Sequence, residues 1–243
     1  MPRERDSYSL WFSTAVLLLV IGLYGFLHSP FFRVQYIQVN GSSYSPEQLA
    51  QIAGIEKGTS LLGLDTELAA RRLEQEPIIS RAIVYRYLPD TVYIQVEERT
   101  PIAMVPYESG FFGVAADGTV LGRLGDNAFN LPIITGADKN SILVGNKNIS
   151  ELVIAARILS GLPRGVRELI SEVNVADRDC LKVISRSLVE CHLGGPGSIQ
   201  DKLDVVATLM PRLDSISSKT YTIVDVSNPK RPVGVGRTRR PPA

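Results

Sequence analysis

The chain is poor in the residues from which catalytic and metal centres are built. It has two histidines, His28 and His192, and two cysteines, Cys180 and Cys191, in 243 residues. Neither histidine has Cys, Asp or Glu at metal-ligand spacing. No G-x-S-x-G, H-E-x-x-H or phosphate-binding loop occurs, which removes the commonest hydrolase and nucleotide-binding signatures. Gly194-Gly195-Pro196-Gly197 precedes a helical pattern, but its proline and the lack of a following G-K-[ST] favour a plain turn over an anion cradle. Asp177-x-Asp179-Cys180 also reads as a turn. No catalytic, cofactor-binding or metal residue is assigned, no cofactor is expected, and the chain is not expected to be an enzyme. Charge of one sign is lacking too. With 26 Lys and Arg against 25 Asp and Glu the net charge is +1, so no global field steers nucleic acid, and none is expected as a partner. The scarce cysteines flank Ile184-Ser185-Arg186-Ser187. A hairpin centred on Ser185 and Arg186 would set Cys180 opposite Cys191 and allow a disulfide in an oxidising exterior; two small half-buried strand residues are the alternative.

What the chain does have begins with residues 10–27, LWFSTAVLLLVIGLYGFL. No formal charge lies between Asp6 and Arg33. About 20 apolar residues let a helix cross ~30 Å of hydrocarbon. Trp11 and Tyr24 suit the two interfaces, and Gly22 and Gly25 are tolerated in lipid. The competing readings are weaker. A cleaved signal peptide wants a basic leader and a small-residue cleavage site, whereas MPRERD is charge-balanced and GFLHSPFF is bulky. A soluble core helix is rarely apolar all round for this length. The expectation is a tail at 1–9, a transmembrane helix at 10–30, and the bulk on its far side. Arg3 and Arg5 favour a cytoplasmic tail, because that rule counts basic residues and largely ignores acids.

Beyond the span, the pattern alternates between strand and helix. Ile37 and Val39 share one face of a strand that Asn40-Gly41 ends. Ser45, Pro46 and Gln48 make a capping box for a helix bearing Leu49, Ile52 and Ala53 on one side, which Gly54 closes. Asp65 caps a second helix through Leu68, Ala69 and Leu73, with Arg71 and Arg72 as a solvated face and Pro77 as its stop. Two strands follow around Pro89-Asp90. A register pairing Leu88 with Val92, Arg86 with Ile94 and Val84 with Val96 leaves a three-residue loop, Pro89-Asp90-Thr91. The opposite face carries Tyr85, Tyr87, Tyr93 and Gln95, either solvated or a secondary contact face.

These residues resemble a known family. FRVQYIQVNG, then LLGLD, then the Ala82-x-Val84-x-Arg86 strand, Leu88-Pro89-Asp90-Thr91-Val92 and Glu98-Arg99-x-Pro101 are similar in combination to the POTRA domain of FtsQ/DivIB cell-division proteins. The resemblance implies a β-α-α-β-β domain over residues 31–101.

From Ile102 short strands take over. Residues 111–115 and 119–121 flank the hairpin signal Asp117-Gly118. A helix over 150–162 carries Leu152, Ala155, Ala156 and Leu159, strands follow near 172–175, 181–185 and 188–193, a capped helix spans 198–210, and 221–226 form a final strand. The order, with Leu131-Pro132-Ile133-Ile134-x-Gly136, Cys191-His192-Leu193-Gly194 and Val224-Asp225-Val226, resembles the second domain of the same family. The fold class expected is α+β: one N-terminal transmembrane helix, the POTRA domain, then a mixed β domain with two helices at 102–227. Residues 228–243, rich in Pro, Arg and Gly, read as a disordered basic tail.

The resemblance implies a divisome scaffold in the cell membrane at the division septum. It would hold FtsB/DivIC-like and FtsL-like bitopic partners, among other divisome proteins, and link them to septal peptidoglycan synthesis. In the family the partner docks on the last strand of the β domain. Here that maps to Tyr221, Thr222, Ile223, Val224, Asp225 and Val226, with Pro229 and Pro232 expected to stop the pairing edge near Ser227. The alternative is a POTRA-containing envelope secretion or assembly factor, which should continue into a β-barrel. A membrane-anchored envelope enzyme is disfavoured by the scarcity of histidine.

Overall fold

A computed structural model describes residues 4–27, 29–108, 110–125, 130–216 and 221–237. The chain divides into two units, Met1–Glu98 and Arg99–Ala243. The boundary falls ahead of the expected one at 101, because Pro101 already opens the first strand of the second unit.

The first unit starts with helix α1, Glu4–Leu27. Every described side chain on it, from Trp11 to Leu27, is exposed, Trp11 at 76% and Leu19 at 69%. Among the described residues, which on α1 include side chains only from 11 to 27, no helix is long and apolar enough to cross a membrane. His28 and the first residues of the expected tail lie outside the described residues. A 3-10 turn, Pro30–Phe32, is capped by Ser29, whose hydroxyl accepts the Phe31 amide at 3.3 Å.

Strand β1 (Tyr36–Asn40), helices α2 (Pro46–Ala53) and α3 (Thr66–Leu73), and strands β2 (Ile79–Tyr87) and β3 (Thr91–Glu98) follow in the expected β-α-α-β-β order. Both helix starts are built as read. Ser45 and Gln48 form the full capping box, and the Asp65 carboxylate accepts the Leu68 amide at 2.9 Å. Gly54 closes α2 in the left-handed conformation. Arg71 and Arg72 are exposed, as expected, and Arg72 also has a structural role. Its guanidinium donates to the Ala53 carbonyl at 3.2 Å and satisfies one of the orphan acceptors at the end of α2.

The sheet order is β1-β3-β2, with β1 parallel and β2 antiparallel to β3. The hairpin register is shifted by two residues from the expected one: Val84 pairs with Ile94 and Arg86 with Val92. Face parity survives, because side chains alternate with period two. Leu88 therefore leaves the ladder and stands 56% exposed, and the loop is Leu88-Pro89-Asp90. The displacement has a backbone cause. The Asp90 carbonyl accepts the Gln35 amide at 2.8 Å and the Tyr36 amide at 3.3 Å, so Asp90 belongs to the joint with β1. Arg86 turns out of the core and donates to the Leu64 carbonyl at 3.1 Å. Val92, Ile94 and Val96 face Leu49, Leu61 and Leu73 in a single buried cluster.

The second unit is a nine-stranded sheet in the order β12-β11-β10-β9-β8-β7-β4-β5-β6. Its strands are β4 (Pro101–Tyr107), β5 (Gly110–Ala115), β6 (Val120–Arg123), β7 (Ile133–Thr135), β8 (Ile170–Asn174), β9 (Leu181–Ser185), β10 (Val189–Gly194), β11 (Tyr221–Asp225) and β12 (Val233–Arg237). Helices α4 (Ser150–Gly161), α5 (Arg164–Arg167) and α6 (Ile199–Ile216) join them, so a one-turn helix adds to the two expected. Helix α6 runs past Met210 through Pro211, which costs a backbone hydrogen bond without ending the helix. Helix α4 packs on β4 and β5, and α6 on β10. The helix-covered face buries Ile134, Val173, Val183, Cys191 and Val224 in one row across the sheet. The other face is only half-buried.

One expectation fails at the end of this sheet, and of the two readings left open for the cysteines the bridged one is not formed. Residues 233–237 of the expected disordered tail form β12; residues 238–243 lie outside the described residues. Cys180 and Cys191 are both free. Cys191 pairs across the hairpin with Val183, not Cys180, because the turn runs from Ser185 to Leu188 (φ 68°) and is centred beyond Ser185 and Arg186. Burial, with Glu190 beside it, pushes the Cys191 thiol up to about 12, so it is inert as a nucleophile.

Candidate partner-binding edge

The six residues expected to form a pairing edge, Tyr221 to Val226, are an inner part of the sheet. Strand β11 pairs in parallel with β10 on one side and antiparallel with β12 on the other. The edge has moved outward by one strand. Pro229 and Pro232 were expected to stop the pairing, but they sit in the connection, where no ladder donor is needed.

That connection is built from local side-chain chemistry. The Ser227 amide donates to the Asp225 carboxylate at 2.8 Å, the Lys230 amide to the Asn228 side chain at 3.2 Å, and the Arg231 amide to the Asn228 carbonyl at 3.0 Å. Short polar side chains that bond the backbone two residues on are the usual makers of such reversals. Upstream, the Val226 amide donates to the His192 carbonyl at 2.8 Å. The Ser227 hydroxyl and amide, with lesser help from the charges of His192 and Lys202, hold the Asp225 carboxyl below its usual range against the opposing effect of burial. Lys202 itself is buried and donates to the Gly195 carbonyl at 2.7 Å, so the glycine-rich segment is a turn held by a lysine.

Two rows cross the open face towards the edge. One runs Ile133, Glu172, Ile184, Glu190 and Ile223, whose backbone partner on β12 is residue 235; the other Thr135, Asn174, Lys182, His192, Asp225 and Val233. Their polar members are tied together. Glu190 Oε1 lies 2.7 Å from His192 Nε2 and 3.2 Å from Lys182 Nζ, and Thr135 Oγ1 donates to Glu172 at 2.5 Å. On the helix face the buried row through Cys191 and Val224 ends at Gly234, where an added Cβ would meet nothing within 4 Å. Strand β12 is thus a short terminal strand with Val233 exposed and glycine alternating beside it. No described strand pairs on its outer side. An uncovered edge of this kind offers unpaired N–H and C=O groups to another chain.

Sequence reading missed β12. Its signal was the alternation in Val233-Gly234-Val235-Gly236 after the turn residues Ser227-Asn228-Pro229, hidden by a proline- and arginine-rich surrounding. Tyr85, Tyr87 and Tyr93 fall, as expected from parity, on the sheet face that α2 and α3 leave open, in the other unit. Among the described residues no group of three or more His, Cys, Asp or Glu is placed to hold a metal.

A β-α-α-β-β unit followed by a large mixed sheet defines a POTRA-bearing α+β protein. The model of the POTRA domain, FtsQ-type, matches residues 32–99, and that of the FtsQ/DivIB C-terminal domain matches residues 103–227. The cell division protein FtsQ of Syntrophotalea carbinolica is 36% identical over 194 residues, covering 76% of this chain and 67% of that protein. FtsQ of Anaeromyxobacter sp. (strain K) is 30% identical over 210 residues, covering 84% and 70%. DivIB of Bacillus subtilis is 25% identical over 173 residues, covering 70% and 60%. The chain belongs to the FtsQ/DivIB family of cell-division proteins. The matched C-terminal segment stops at residue 227, ahead of β12.

Proposed function

We propose that the chain is a non-enzymatic division-site scaffold, anchored by α1 as a single membrane span, which holds a bitopic partner by adding that partner's strand to β12. The carrying observation is the terminal position of β12 in the nine-stranded sheet. Backbone pairing along an edge supplies affinity, and alternate side chains select the partner. Partners of the FtsB/DivIC and FtsL type, and a link through them to septal peptidoglycan synthesis, are the assignment that family membership favours. The apolar run at 10–27 and the exposure of all its described side chains support the anchor, with the N-terminus inside.

Proline tests the edge. Successive residues of an edge strand point their N–H groups alternately inward and outward. Of Gly234→Pro and Val235→Pro, one removes an outward donor and spares the β11 ladder. That variant should stay folded and lose partner affinity by at least about tenfold, some 1.4 kcal/mol. Undiminished co-purification by both folded variants would rule the edge out.

A further inference from the structure

The open face of the β1-β3-β2 sheet carries a graded pattern. Its rows, read from the end at which β1 begins, are Tyr36–Thr91–Tyr87, then Gln38–Tyr93–Tyr85, then Asn40–Gln95–Ile83, and finally Arg81–Glu97. The first three rows hold no formal charge, and all the tyrosines lie in the first two. Tyr36 is 60% exposed, Tyr87 72% and Tyr85 48%, and the Tyr85 and Tyr93 rings lie 6.4 Å apart. Leu88, 56% exposed, continues the patch at the same end.

That end is also where the chain arrives from α1. Phe26, in the last turn of α1, has its ring centroid 5.2 Å from that of Phe32 and 6.2 Å from that of Phe31. The Phe32 carbonyl accepts the Leu61 amide at 2.8 Å, and Val34 exchanges backbone bonds with Thr59 and Gly58 at 2.9 and 2.7 Å. The aromatic cluster is therefore tied into the domain. From Phe32 to Tyr36 the chain spans at most about 14 Å, at ~3.5 Å per residue. Aromatic rings with polar tips are enriched at the membrane–water boundary, and charged pairs belong outside it.

We infer that this tyrosine face lies against the headgroup layer of the membrane, with its Tyr36–Tyr87 end innermost and Arg81–Glu97 in water. The inference rests on the reading of α1 as a span. Its occupant is the lipid surface, because the uncharged aromatic rows begin where α1 delivers the chain and give way to charge with distance from it.

The chain has one tryptophan, Trp11, so the two readings separate by fluorescence. The full chain is placed in vesicles of phosphatidylethanolamine and phosphatidylglycerol carrying a nitroxide near the top of the acyl chain. Quenching of Trp11 reports the span. In a Trp11→Phe background, Tyr87→Trp should be blue-shifted and quenched at least about twofold more than Arg81→Trp, as a depth-graded interface requires. Tyr36→Trp, a second aromatic exchange, should match Tyr87→Trp. Quenching of Trp11 with equal, water-like emission at 36, 81 and 87 would overturn the inference and leave the span standing. Shielding at 87 that appears only on adding division partners, without lipid quenching, would overturn it in favour of a protein contact. Failure of Trp11 itself to be quenched would remove the span reading, and this inference with it.

Discussion

Single residues in this chain act mainly by fixing backbone. Glu98 ends β3 and gathers the loop after β1. Its Oε1 accepts the Ser43 amide at 2.7 Å and the hydroxyls of Ser42 and Ser43 at 2.8 and 2.9 Å. Burial opposes the charge, but the Ser43 amide and the two hydroxyls outweigh it and hold the Glu98 carboxyl below its ordinary 4.5. Asp117 follows the same logic: burial is outweighed by the Thr119 hydroxyl and amide, then by Arg99, whose Nε lies 3.0 Å from its carboxylate. With folded values lowered, the unfolded chain binds more protons at acid pH. The stabilisation is complete above the ordinary carboxylate values and is lost as pH falls through the folded ones. Melting temperature should therefore decline as pH falls below about 4.5, and Glu98→Gln should flatten that decline while costing about 1 kcal/mol at neutral pH. Thermal unfolding of both chains across pH 2–7 checks this. Gly41 is a second such point. Its φ is +84°, and a Cβ there would drive into the Val96 carbonyl. Gly41→Ala should cost about 2 kcal/mol or more, read as a lowered denaturant midpoint.

At the scale of elements, β12 depends on its connection. Asn228 bonds the Lys230 amide through its side chain. Asn228→Ala should loosen β12 and not β10, seen as faster amide exchange at 233–237 with protection of 189–193 unchanged. The elements that sequence made legible were those with local causes. The Ser45–Gln48 box, the Asp65 cap and the alternation of Val92, Ile94 and Val96 each carry their structure within a few residues. The hairpin register was not legible, because the shift that expels Leu88 comes from β1 docking on Asp90, a contact distant in sequence. The position of Cys191 opposite Val183 likewise depends on a turn closed by Leu188 in the left-handed conformation, which composition does not announce. At the candidate edge, the last strand of the expected domain was located, but not the strand beyond it. Val233 and Val235 alternate with glycines that add no apolar signal, and their stability comes from pairing with β11.

At the scale of the whole molecule, the chain combines an exposed apolar helix, a small POTRA unit and a sheet whose last strand is open, and the central claim is that this strand receives a partner. A photo-reactive amino acid placed at Val235 in living cells, with Val153 on α4 (39% exposed) as the control, addresses it directly. The account predicts an adduct from 235 with a short single-span division protein, abolished by the outward-facing proline at 234 or 235 when the probe is moved to 233, and none from 153. No adduct from either β12 position, or equal adducts from 153, would contradict it.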